Sequence, residues 1–77
     1  MVHAFVMVKT GAGRSEELIT AVRDIDQVAE AHIVAGDYDL IVEVSADEVY
    51  EILHTVSSGI QGMDGVADTR TYISLDE

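Results

Sequence analysis

Asp37 and Asp39 are the residues whose type and spacing first suggest chemistry. They flank Tyr38 in the run Gly36-Asp-Tyr-Asp39, between two stretches that are otherwise apolar. Aspartate is a common turn residue, because its side chain bonds its own backbone and it tolerates left-handed conformations. That suffices for Asp37. It explains Asp39 less well, since Asp39 begins a strand that enters the core. A carboxylate fixed at a sheet edge can pair with a ligand ammonium, while free turn N–H groups can hold a ligand carboxylate. An α-amino acid carries both groups. From these residues alone, a ligand site and a simple turn both stand.

Other chemistry-bearing residues lack such a setting. Gly11-Ala-Gly13 follows a strand and opens a helix, as a dinucleotide loop does. The third glycine of that motif is replaced by Glu16, whose carboxylate would repel a pyrophosphate, and no G-K-[ST] run exists. An ordinary flexible turn is the better reading. His3, His32 and His54 have no i, i+4 pairing and no enforced convergence, so no metal is expected. Ser15, Ser45, Ser57, Ser58 and Ser74 sit in no nucleophile elbow. Most carboxylates fall on predicted solvent faces, where solvation explains them. The chain has no Cys, so it can form neither a disulfide nor a thiolate nucleophile. Neither enzymatic activity nor a cofactor is expected.

Composition narrows the partners further. The 77 residues hold 15 Asp and Glu against 4 Lys and Arg, a formal net charge of −11, with 48% hydrophobic residues. That hydrophobic content excludes disorder, and the length fits one domain over residues 1–77. Binding to nucleic acid needs clustered cations, and Lys9, Arg14, Arg23 and Arg70 are far apart. Docking on an anionic membrane through a basic patch is excluded likewise. No apolar run reaches the roughly 18 residues of a membrane span. The N-terminus carries no charged leader, so no signal peptide is expected. Together with the absence of Cys, this points to a reducing, cytoplasmic setting.

The elements that must position Asp37 and Asp39 follow from periodicity. Val2 to Lys9 is a β-branched strand, with Val2, Ala4, Val6 and Val8 on one face and His3, Phe5, Met7 and Lys9 on the other. Ser15 suits an N-cap ahead of Glu16 and Glu17, and Leu18, Ala21, Val22 and Ile25 form a helical stripe. Val28 to Ala35 is a second strand. A Gly-Asp tight turn then leads into a third, in which Leu40, Val42 and Val44 alternate with Ile41, Glu43 and Ser45. Ser45-Ala-Asp-Glu48 matches a capping box. Val49, Ile52, Leu53, Val56 and Ile60 continue a helix that Gly62 stops. Val66 to Leu75 is the last strand.

The order βαββαβ predicts an α+β, ferredoxin-like fold: a four-stranded antiparallel sheet with two helices on one face. The helices can cover only one side of the sheet. The other would expose Phe5, Met7, Ile41 and Tyr72, which is too apolar to leave in water. A sheet-to-sheet homodimer resolves this.

The segment from His32 through Gly36-Asp-Tyr-Asp39 to Val44, and the segment Met63-Asp-Gly-Val66 through Thr69, Thr71 and Ile73, resemble the effector-binding (RAM) domain of the Lrp/AsnC regulators. Ala4-Phe-Val-Met-Val8, Thr10 and Gly13 fit too, so the resemblance covers nearly the whole chain. It implies sheet-to-sheet dimers, rings of eight or ten, and amino-acid effectors bound between dimers. It also implies that Gly36, Asp37, Tyr38, Asp39, Thr69 and Thr71 line the effector pocket, with Met63 to Gly65 and Ser57–Ser58 as weaker matches. Full-length members carry a DNA-binding helix-turn-helix, which this sequence lacks, so it resembles the stand-alone form. The expected function is an amino-acid-binding module that modulates transcription by self-association or by joining full-length regulators. The alternatives are a ligand-free oligomerisation module and a small enzyme of the dimeric α/β-barrel type using His3 or His32. The acidic excess resembles proteins of salt-loving microbes, which implies assembly that strengthens with salt.

Overall fold

The computed structural model describes residues 1–76. Its elements run β1 (Val2–Thr10), α1 (Ser15–Arg23), β2 (Val28–Ile33), β3 (Leu40–Ala46), α2 (Val49–His54), a π-helical turn (Thr55–Ile60) and β4 (Val66–Ile73). The four strands form one antiparallel sheet in the order β2-β3-β1-β4. This is the expected βαββαβ arrangement.

Strand alternation sorts the side chains. On β1, Ala4, Val6 and Val8 are buried. Their neighbours across the ladder are Val44, Val42 and Leu40 on β3 and Ile73, Thr71 and Thr69 on β4. Opposed residues share a face, so all of these point toward the helices. Leu18, Ile19 and Val22 of α1, with Ile52, Val56 and Ile60 of the second helical segment, complete one core. Phe5, Met7, Ile41 and Tyr72 lie on the opposite face, as the period-2 pattern requires. Phe5 is 41% exposed and Tyr72 57%, so both helices cover the same side.

Four local expectations are corrected. Ser15 is the first helical residue of α1 and not its cap; Arg14 precedes it in helical conformation, without a side-chain cap. Ile19 joins the α1 core stripe, whereas Ala21 is exposed. Ser45 belongs to β3, and the capping pair shifts to Glu48 and Glu51, whose Oε1 accepts the backbone N–H groups of Asp47 at 3.1 Å and Glu48 at 3.4 Å. The connection between β2 and β3 is the loop 34–39 and not a two-residue turn.

The second helix also changes character midway. Gln61 N–H bonds the Val56 carbonyl at 2.8 Å, five residues back. At the junction the Thr55 hydroxyl donates to the Glu51 carbonyl at 2.9 Å. Such back-bonding loosens and bends helices, and π turns arise where the regular ladder is interrupted.

Candidate functional site

The loop 34–39 is held at three points. Val34 N–H bonds the Asp39 carbonyl at 2.8 Å, closing the hairpin, and Asp39 N–H bonds the Val8 carbonyl at 2.9 Å. The Lys9 ammonium donates to the Asp37 carbonyl at 2.8 Å. So fixed, Val34 to Tyr38 wall a cavity of about 310 Å³ whose remaining lining is Met7 and Ile41. Those two residues belong to the open sheet face. The cavity is therefore an extension of that face at the hairpin end of the sheet.

Asp37 and Asp39 part ways here. The half-buried Asp39 turns toward β1, where its Oδ2 accepts Thr10 N–H at 2.8 Å and the Thr10 hydroxyl at 3.3 Å. It ties the hairpin to the end of β1. Asp37 is exposed, and its carboxylate has no partner among the described residues. Of the two carboxylates, Asp37 is the one available to a ligand cation. The cavity offers an apolar floor, one free carboxylate and the backbone of a tight loop, a combination suited to a small amphipathic molecule.

The remaining expected residues lie elsewhere. Thr69 and Thr71 face the helices, on the opposite side of the sheet from Met7 and Ile41. Thr69 accepts a hydrogen bond from Gln61 Nε2 at 2.8 Å and receives no cavity from the hairpin. Thr71 borders a second concavity of about 550 Å³, with Tyr50, Leu53, His54, Ser57 and Gln61 among its walls. Within one chain, then, the structure unites Gly36, Asp37 and Tyr38 and separates them from Asp39, Thr69 and Thr71. Met63 to Gly65 pack on the turn after β1: the Gly65 carbonyl accepts Gly11 N–H at 2.9 Å, and Asp64 Oδ2 pairs with Arg14 Nη2 at 3.2 Å. Arg14 also pairs with Glu17 at 2.8 Å. Hydrogen bonds to Glu17 and then Asp64 push its guanidinium pKa further up.

His54, read from sequence only as a helix histidine without metal partners, is paired with Tyr50, which the sequence did not single out. Their rings stack with centroids 6.1 Å apart, and the His54 Nδ1 lies 3.4 Å from the Ser58 hydroxyl. The i, i+4 spacing of Tyr50, His54 and Ser58 was the available signal. His3 and His32 occupy the open face, with His3 Nδ1 3.0 Å from the Ser45 hydroxyl and His32 Nε2 3.0 Å from Glu30 Oε1. Among the described residues, no three His, Cys, Asp or Glu side chains gather to hold a metal ion, and no helix is long and apolar enough to cross a membrane.

The sequence profile of the Lrp/AsnC ligand binding domain matches residues 3–77. The leucine-responsive regulatory protein of Haemophilus influenzae is 29% identical over 62 residues, covering 80% of this chain and 37% of that protein. The chain thus spans 37–38% of the length of the curated relatives it matches. A crystal structure from Thermus thermophilus superposes with a TM-score of 0.95 at 34% identity, covering 100% of this chain and 96% of that one. A transcriptional regulator from Neisseria meningitidis, crystallised as an L-methionine complex, superposes with a TM-score of 0.86 over 99% of this chain and 51% of that one. At 22% identity that last likeness concerns the fold alone.

Proposed function

Because this chain belongs to the Lrp/AsnC ligand-binding domain family, we propose that it binds a small molecule, an amino acid, where copies of it meet. Binding then modulates transcriptional regulation through self-association or association with full-length regulators in the cytoplasm. The observation that carries this reading is the hairpin cavity beside Met7 and Ile41. It opens at the margin of a sheet face whose exposed centre calls for a second copy. A sheet packed there would deepen the cavity and exclude water from it, which strengthens any bond to Asp37.

Gly36, Asp37 and Tyr38 would hold the ligand, Asp37 through the ligand's ammonium. Asp39 would act indirectly, by fixing the loop. Thr69 and Thr71 would join only from another dimer, because they lie behind the sheet; a ring of dimers supplies such a contact. The L-methionine complex of the Neisseria meningitidis regulator supports the choice of ligand class. The module acts by binding and not by catalysis.

Thermal melting and light scattering with each of the twenty amino acids test the proposal. A ligand at a hundredfold excess over its Kd stabilises by about 2.7 kcal/mol. For a domain of this size that raises Tm on the order of 10 °C. At least one amino acid should do so and also change the scattering mass. No response to any of the twenty overturns the ligand assignment and leaves an oligomerisation module.

A further inference from the structure

The hairpin cavity has one free anion at its rim, the Asp37 carboxylate. An α-amino acid has two charged ends. With its ammonium assigned to Asp37, its carboxylate still needs a partner. The chain's net charge of −11 sharpens that need. An acidic molecule attracts amines without selection and repels carboxylates, so a local cation must receive the acid end.

Lys9 is placed to do so. It is exposed on the open face of β1, two residues beyond Met7 of the cavity wall. Its ammonium rests on the Asp37 carbonyl at 2.8 Å. The carbonyl and carboxylate of one aspartate are only a few covalent bonds apart, so the cation and the free anion stand on the same stretch of rim. An ammonium has three N–H donors, and the Asp37 carbonyl takes one of them. Asp68, opposite Lys9 across the ladder, forms no ion pair with it among the described residues and instead accepts Thr69 N–H at 2.9 Å. The other cations are committed or remote. Arg14 is held by Glu17 and Asp64, and Arg23 by the Ala31 carbonyl at 2.8 Å. Arg70 stands on the edge strand β4, with β1 between it and the hairpin.

We propose that Lys9 sets the specificity of the hairpin cavity: its ammonium donates to the carboxylate of a zwitterionic ligand whose own ammonium is held by Asp37. This rests on the amino-acid reading above and adds to it the selection of amino acids over amines and amides with the same side chain. The N–H groups of the loop are the competing recipients of the carboxylate. They are neutral donors and distinguish a carboxylate from a carboxamide less sharply than a cation does. A bond from an ammonium to a carboxylate is charge-assisted on both sides. Preference for the acid over its amide therefore reports on Lys9.

Isothermal titration calorimetry with L-methionine and L-methioninamide tests this, at about pH 6, where both probes carry the ammonium. The flexible thioether side chain suits the walls of Met7, Val34 and Ile41. The wild type should bind L-methionine at least about tenfold more tightly than the amide. K9M should bring that preference to within about twofold by weakening L-methionine binding, and K9R should retain most of it. R70M removes the same charge from the same face and should leave the preference unchanged. Circular dichroism confirms that each variant is folded. If K9M weakens both probes equally, Lys9 only holds the loop, and the specificity assignment falls while the amino-acid reading stands. The assignment falls likewise if the wild type shows no preference, if K9M keeps it, or if R70M loses as much as K9M. A wild type that binds neither probe removes the inference, and the screen of all twenty amino acids then tells whether the amino-acid reading falls with it.

Discussion

At the residue scale, the two aspartates of the hairpin separate structure from binding. Asp39 accepts two hydrogen bonds from Thr10, and Asp39→Ala leaves a partly buried N–H without its partner. The expected cost is about 1–2 kcal/mol, read as a lower urea midpoint with an unchanged slope. Asp37→Asn removes a carboxylate charge that has no partner among the described residues and keeps the carbonyl that Lys9 bonds. It should move stability by about 0.5 kcal/mol or less yet abolish the amino-acid-induced rise in Tm. A ligand response that survives Asp37→Asn would exclude that carboxylate from the site. The sequence could single out Gly36-Asp-Tyr-Asp39 as a constrained loop, but not say which carboxylate was occupied. That depends on Thr10, 29 residues from Asp39 in sequence and beside it only after β1 and β3 pair. The placement of Thr69 and Thr71 behind the sheet, by contrast, was implicit in their alternation and in the pairing with Val8 and Val6.

At the element scale, every strand and helix was legible from its periodicity, and the errors fall at helix ends, on helix flanks and at the β2–β3 connection, where β2 stops at Ile33 and a loop replaces the tight turn. A Ser before an apolar stripe signals a cap, but Ser45 is drawn into β3, whose ladder it extends beside His3. The stripe Val49, Ile52, Leu53, Val56, Ile60 reads as one apolar face, yet only Ile52, Val56 and Ile60 are buried, while Leu53 is 50% exposed. Helical period alone cannot foresee that the ladder opens into a π turn at Thr55, which rotates the later residues of the helix relative to the earlier ones. The contrast is measurable. Ile52→Ala should cost about 2–5 kcal/mol, because its methyl groups leave a cavity in a fully buried site. Leu53→Ala should cost well under half of that in the same urea titration. Equal losses would mean that Leu53 is covered in solution, as it would be if the concavity bordered by Thr71 were an interface. The Arg14 contacts that join α1 to the loop before β4 are insensitive to ordinary pH. A guanidinium whose folded pKa is raised contributes fully below its unfolded value and loses that contribution only as pH rises through the folded one.

At the scale of the whole molecule, the net charge opposes assembly, and salt tests how strongly. Each copy carries a formal charge of −11, so a dimer carries about twice that and a ring several times as much. This repulsion acts between exposed groups over distances of about 10 Å and more. It is cut off as the Debye length falls from about 10 Å at 0.1 M salt to about 3 Å at 1 M. Burial of Phe5, Met7, Ile41 and Tyr72 does not depend on screening at all. The long-range repulsion should therefore fade first, and both Tm and oligomer mass should rise between about 0.05 M and 2 M potassium chloride. Chloride is the informative anion, because sulfate strengthens apolar burial in any protein. A melting temperature and mass that stay flat or fall over that range would mean that the acidic excess does not limit assembly.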